Sequence, residues 1–473
     1  MPQNLKLNAR FVYLFIQFSA SVFFSMMFVV ASLYEATVAG LTPVQLILVG
    51  TTLEISAFVF EVPTGIVADV YSRRLSIIIG YVLMGLGFLV EGFFPFFAAI
   101  LLAQVIWGLG YTFTSGATQA WITDEVGEED ANKLFLRATQ VGLFAALVGM
   151  GLATLIGANN VALPLQVGGL GVILIGVTLA VIMPETGFHP TPREDRTTWE
   201  HMWHTFKQGV DVVRSKPRLM SVVGVGLFYG IYSEGFDRLW VKHLLDTFEL
   251  PVIFGGNQVA FFAVLRIVAT VLTILAVRFV EKRVDTGNPI AIGRAMLLVT
   301  GLVSASLIGF ALSSVLLISL GLYLSISILR DIAGPLQAAW VNQKLDSKVR
   351  ATVHSMFGQV DAVGQMLGGP VVAVIAAVGS AVASLVTSGL LLTRLLVAFT
   401  RRITRKFMSQ QQAMLVRKAI QYVAWVAILF IVLSVLGVKV GARLGAAGSV
   451  GSAIGVASQT SMSNLISGLF LIS

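Results

Sequence analysis

The chain has no cysteine among its 473 residues. Disulfides, thiolate nucleophiles and Cys-ligated metals are therefore excluded. Charge is also scarce. Asp, Glu, Lys and Arg make up 12%, against roughly 25% in an ordinary soluble domain. A soluble protein of this length could not cover its surface with so little charge. The sequence holds no Gly-x-x-x-x-Gly-Lys-Ser/Thr run, which rules out the phosphate loop of an ATP-driven machine. It has no nucleophile elbow and no metal-ligand cluster, so neither an enzyme nor a cofactor is expected.

Hydrophobic residues account for 56%, with a mean hydropathy of +0.87. Apolar runs of about twenty residues recur, each able to cross about 30 Å of hydrocarbon. The expected fold class is an all-α polytopic membrane protein embedded in the lipid bilayer. Helices are predicted at about 11–34, 44–66, 75–93, 96–121, 138–158 and 162–183. After a polar segment they resume at about 218–240, 254–279, 291–311, 314–336, 351–376 and 380–399. The first run is too long for a signal-peptide core and reads as a membrane anchor.

With the N-terminus in the cytoplasm, nearly all cations between helices fall on that side, from Arg10, Arg73 and Lys133 to Lys282 and Arg350. The net charge of +8 thus orients helices and forms no single basic face, so no nucleic-acid partner is expected. The predicted location is the cell (inner) membrane, with both termini cytoplasmic.

Between the second and third runs lies Gly65-Ile-Val-Ala-Asp69-Val-Tyr-Ser-Arg73-Arg74. It reads as a tight turn at the membrane surface. Gly65 and Ala68 would permit close helix approach, Asp69 is a fixed anion, and Arg73 and Arg74 are cations held on the cytoplasmic side. Gly-x-x-x-Asp-x-x-x-Arg-Arg at this place resembles the signature loop of the major facilitator superfamily. The resemblance spans residues 1 to about 399 and implies two six-helix bundles. In that family the hinge Asp and Arg contact neighbouring helix ends and lock the outward-facing form. Asp69, Arg73 and Arg74 match those positions, and Asp124 and Glu125 are the natural partners of the cations. The fit is uneven. Gln104 stands where the family's fourth helix commonly has an arginine, and the fifth helix lacks a Gly-Pro pair.

The resulting division is 1–183 for the N-terminal half, 184–217 for a cytoplasmic linker with an amphipathic helix, and 218–399 for the C-terminal half. In the linker Trp199, Trp203, Phe206, Val210 and Val213 recur at helical spacing. Residues 400–473 add a basic stretch and two further apolar runs. Gly455 to Leu471, with Gln459 and Asn464, resembles the pore helix of small-conductance mechanosensitive channels. Ser452 and Val456 occupy the positions of that family's apolar constriction, and serine cannot dewet a pore as leucine does. The segment stops at Ser473, where such channels continue into a cytoplasmic vestibule. Its stripes of Gly and Ala can promote self-association, so an oligomer is open.

A carboxylate near the bilayer centre costs about 2.5–3.5 kcal/mol on insertion scales, so each needs a reason. Glu54 and Glu61 share one face of the second helix and are candidates for proton coupling. Arg266, Glu234, Asp361, Gln104, Tyr111 and Gln119 are candidates for lining a substrate cavity. A structural salt bridge from Arg266 to Asp361 or Glu234 is the alternative. Glu35 and Glu91, near outer helix ends, are read as solvated. The expected function is secondary transport of a small molecule by alternating access, as proton-coupled efflux. The rival is a mechanosensitive channel subunit fused to a facilitator-like membrane domain.

Overall fold

Asn8 caps the first helix by accepting from Arg10 N, and α1 then runs Ala9–Thr37. In this computed structural model the described residues are 7–190, 217–252, 254–285, 288–342, 360–370 and 372. They fall within the first of two compact units, Met1–Phe407. The amphipathic linker helix, most of predicted helix eleven, helix twelve and the channel-like tail lie outside them.

A capping box between Thr42 and Gln45, with proline at the first turn, starts α2 (Pro43–Ile66). Five more helices complete the first half, including α3 (Arg73–Phe93), α4 (Phe97–Thr114) and α5 (Ala117–Val126). They end with α6 (Glu128–Ile156) and α7 (Leu163–Ile182). The predicted fourth helix is two helices. Gly116, at φ 68°, supplies a left-handed residue that breaks the run between α4 and α5. Close approach of α3 and α4 needs glycine: a Cβ at Gly80 would lie 2.7 Å from the Gly110 carbonyl oxygen.

The second half contributes α8 (Pro217–Thr247), α9 (Gln258–Arg283), α10 (Pro289–Leu312) and α11 (Leu316–Asn342). A further helical stretch covers 360–370. Among the described residues nine helices are long and apolar enough to cross a membrane. α8 carries its charges, Glu234, Asp237, Arg238 and Lys242, in its second half. It packs on α1, α2 and α11. Its length also corrects the sequence expectation, which ended this helix near residue 240.

The two halves meet through α8 on α1 and α2, and through α9 on α1 and α6. Asn257 Nδ2 donates to the Thr154 carbonyl at 3.1 Å, and Arg266 Nη1 to the Phe28 carbonyl at 2.9 Å. Among the described residues these are the hydrogen bonds that cross between halves. Both lie on the side opposite the 65–74 hinge, called here the far side.

Candidate functional site

The hinge is built differently from a tight turn. α2 continues through a π-helical turn, Val67–Tyr71, before Ser72 becomes extended at φ −173°, ψ 124° and caps α3. Ala68 is buried as expected. A Cβ on Gly65 would meet nothing within 4 Å among the described residues, so this glycine does not serve close helix approach there.

The charges of the hinge converge on the ends of α5 and α7. Arg73 forms an ion pair with Asp124, and its Nε lies 4.0 Å from Asp69 Oδ1. Arg74 takes a different partner from the one expected, donating its guanidinium to the Ala180 carbonyl. Glu125 pairs with neither arginine. It accepts from Gly187 N at 2.8 Å and from the Thr186 hydroxyl at 2.7 Å. The acid that sequence reading missed is Glu185. It accepts from Arg74 N at 2.9 Å and from the Ser72 hydroxyl at 2.7 Å, placing an anion at the N-terminus of α3. Trp121 Nε1 donates to the Pro184 carbonyl at 2.8 Å, which fixes the same segment. Only the run Pro184-Glu185-Thr186 directly after a helix hinted at this anchor.

Deeper in α2, Glu61 accepts from Ser115 at 3.1 Å, at the break between α4 and α5. Glu54 is partly buried, and Phe58 on the same face is exposed. Three charges of the other half act on Glu54: Glu234, Arg238 and Asp361. Tyr111 stacks on Trp107, with ring centroids 5.5 Å apart, within electrostatic reach of both Glu54 and Glu61. The chain thus brings Glu54, Glu61 and Tyr111 together. Gln119 stands apart, exposed on α5.

The other cavity candidates are engaged in pairs. Glu234 accepts from Arg238 Nε at 3.2 Å. Asp361 accepts from Gln365 at 2.9 Å. Arg266 joins neither acid, because its guanidinium is taken by the Phe28 carbonyl. Arg330, which sequence reading left without a role, forms a bidentate pair with Asp237 at 2.6 and 2.8 Å. Its guanidinium also lies over the rings of Tyr232 and Phe236, 5.8 and 5.7 Å from their centroids.

At the far side the sequence reading needs a second correction. Glu35 and Glu91 are not solvated but only 1% and 2% exposed. Gln104 donates to Glu91 Oε2 at 3.2 Å, and Tyr34 donates to the Glu91 carbonyl at 2.7 Å. Gln104 therefore supports a buried acid and lines no open cavity.

Charges paired or buried within long apolar helices do not by themselves decide the family, but the sequence relationship does. Residues 13–369 match the Major Facilitator Superfamily. The chain belongs to that superfamily. Like other facilitators it is a multi-pass membrane protein and a secondary transporter of small molecules, not an enzyme. It is 26% identical over 339 residues to the uncharacterized MFS-type transporter YxaM of Bacillus subtilis (strain 168), covering 70% of this chain and 81% of that one. In fold it is similar to the nucleoside transporter NupG, at TM-score 0.63 and 16% identity over 84% of this chain and 99% of that one. A bacterial homologue of the human lysosomal transporter Spinster, inward-facing and unoccupied, gives TM-score 0.61 at 16% identity over 90% and 98%. The facilitator match ends before the channel-like tail, and none of these likenesses supports a mechanosensitive channel segment.

Proposed function

We propose that this facilitator exports a small molecule by alternating access, driven by protons entering the cell. The observation that carries the reading is the confrontation of Glu54, on α2 of the first half, with Glu234, Arg238 and Asp361 of the second. Rocking one half against the other changes the distances among these charges. Their energies in a low-dielectric interior are steep enough to bias the two conformations. The far side is held together by contacts between the halves, and on this reading Glu54 and Glu61 open toward a mouth on the hinge side. By the charge asymmetry of the loops, that mouth is cytoplasmic.

Asp69, Arg73 and Asp124 supply the hinge-side gate, with Arg74 anchoring α3 to α7. The tail resembling a channel pore is not needed for this cycle. The test is flux of a compound panel in proteoliposomes, with and without an imposed pH gradient. Accumulation that follows the gradient and collapses with a protonophore is expected. Flux indifferent to the gradient, or tension-activated conductance from the full chain, would overturn the reading in favour of another coupling or of the channel.

A further inference from the structure

The far-side cluster holds more acid than its cation balances. Glu35 on α1 and Glu91 on α3 are almost completely buried. Each keeps one carboxylate oxygen, Glu35 Oε2 and Glu91 Oε1, without a hydrogen-bond partner among the described residues. The two acids interact with each other and with Arg238, and Glu234 acts on Glu35 as well. Glu54 of α2 faces the Glu234–Arg238 pair and also Asp361, while Asp237 of α8 itself acts on both members of the pair. Asp237 is already matched by Arg330.

Arg238 is balanced by Glu234, one helical turn away at 3.2 Å. Glu35 and Glu91 then remain as two acids with no cation of their own among the described residues. Burying two unmatched carboxylates is far costlier than protonating them. A metal cation fits the site poorly, because the neighbouring guanidinium repels it and it would require several oxygens arranged around it. A proton needs one lone pair, and each acid offers one.

We propose that Glu35 and Glu91 form a two-proton site that is loaded from far-side water and must be filled before the far side seals. This rests on the proton-coupled reading above and names where the coupling ions bind. Each carboxylate forms one O–H bond with a proton from water, and no other bond changes. Opening the far side hydrates the acids and lets both protons leave. Opening the hinge side leaves Glu54, adjoining the Glu234–Arg238 pair, as the next acceptor.

The absence of cysteine allows a direct test. Val38→Cys and Val252→Cys place one spin label on the exposed far side of each half. Distances between the labels are then measured in nanodiscs from about pH 5 to about pH 9, bracketing the carboxyl range of buried acids. The sealed-to-open ratio should fall as pH rises, approaching about a hundredfold per pH unit where both protons leave together. Glu35→Gln with Glu91→Gln, neutral at every pH, should stay sealed and lose the pH response. Either single variant should keep a slope nearer tenfold per unit, as one proton requires. A pH response unchanged in the double and single variants would overturn the site. So would distances that follow NaCl in place of choline chloride at fixed pH. The measurement needs no substrate, so pH-insensitive distances alongside gradient-driven flux would remove this site while leaving the transport reading intact.

Discussion

Arg238 donates its Nε–H to Glu234, one turn earlier on α8, at 3.2 Å, and the pair lies against the backbone of Gly50 on α2. A Cβ at Gly50 would overlap the Glu234 carboxylate and the Arg238 guanidinium. The far-side seal thus depends on a glycine of one half accepting an ion pair of the other.

Gly50→Val should therefore open the seal without unfolding either half. Overpacking a tight contact costs about 1–3 kcal/mol, or about 5–150-fold in the sealed-to-open ratio. Gradient-driven flux should fall while membrane insertion and monodispersity stay normal. Wild-type flux in Gly50→Val would show that the contact is not part of the cycle.

At the hinge, Asp69→Asn should lower transport strongly, because it removes a gate charge and no core packing. Arg73→Asp and Asp124→Arg should each do the same. Combined, they should recover part of the lost flux, since the ion pair is rebuilt with its charges exchanged. Simple additivity of the two losses would argue that the pair does not act as a unit.

Glu185 makes a separate prediction about stability. It satisfies Arg74 N and the Ser72 hydroxyl at the start of α3. Glu185→Ala should cost about 1 kcal/mol, as loss of a cap does, and lower the melting temperature of the solubilised protein by about 1 °C. Glu185→Gln keeps an acceptor and should lose less. Equal melting for both variants and the parent would mean that the anchor carries no stability.

For coupling, Glu54→Gln should abolish gradient-driven accumulation yet leave downhill exchange measurable, because an amide cannot release a proton. Full accumulation in this variant would exclude Glu54 from the proton route.

The first helices were legible because a membrane writes itself into the sequence as apolar runs with cations on one side. The Arg73–Asp124 pairing was legible too, since both residues flank loops on the same surface. What hydropathy could not reveal were relationships made across the two halves. Glu35 and Glu91 sit near helix ends and read as solvated, yet α8 of the other half covers that end of the bundle. Arg266 has a backbone carbonyl 238 residues away as its partner, and no side-chain pattern announces a carbonyl. α8 was cut short because its charges look like a helix terminus. Glu234 and Arg238 pair within the helix, and Asp237 is matched by Arg330 on another helix. Glu125 and Gln104 were assigned by position, and their bonds to 186–187 and to Glu91 follow from loop and helix placement that spacing does not encode.

The central claim is that the two sides open in alternation, and two reporters on α2 test it most directly. Phe58 is exposed one helical turn from Glu54 toward the hinge, whereas Thr51 is 5% exposed and lies against Gly369. In the naturally cysteine-free chain, Phe58→Cys and Thr51→Cys can be labelled singly with a membrane-impermeant maleimide from either side. The account predicts reciprocal labelling. Conditions that make Thr51→Cys reactive from the far side should protect Phe58→Cys from the hinge side, and the reverse. Simultaneous labelling of both positions, rising and falling together as in a continuous pore, would contradict it.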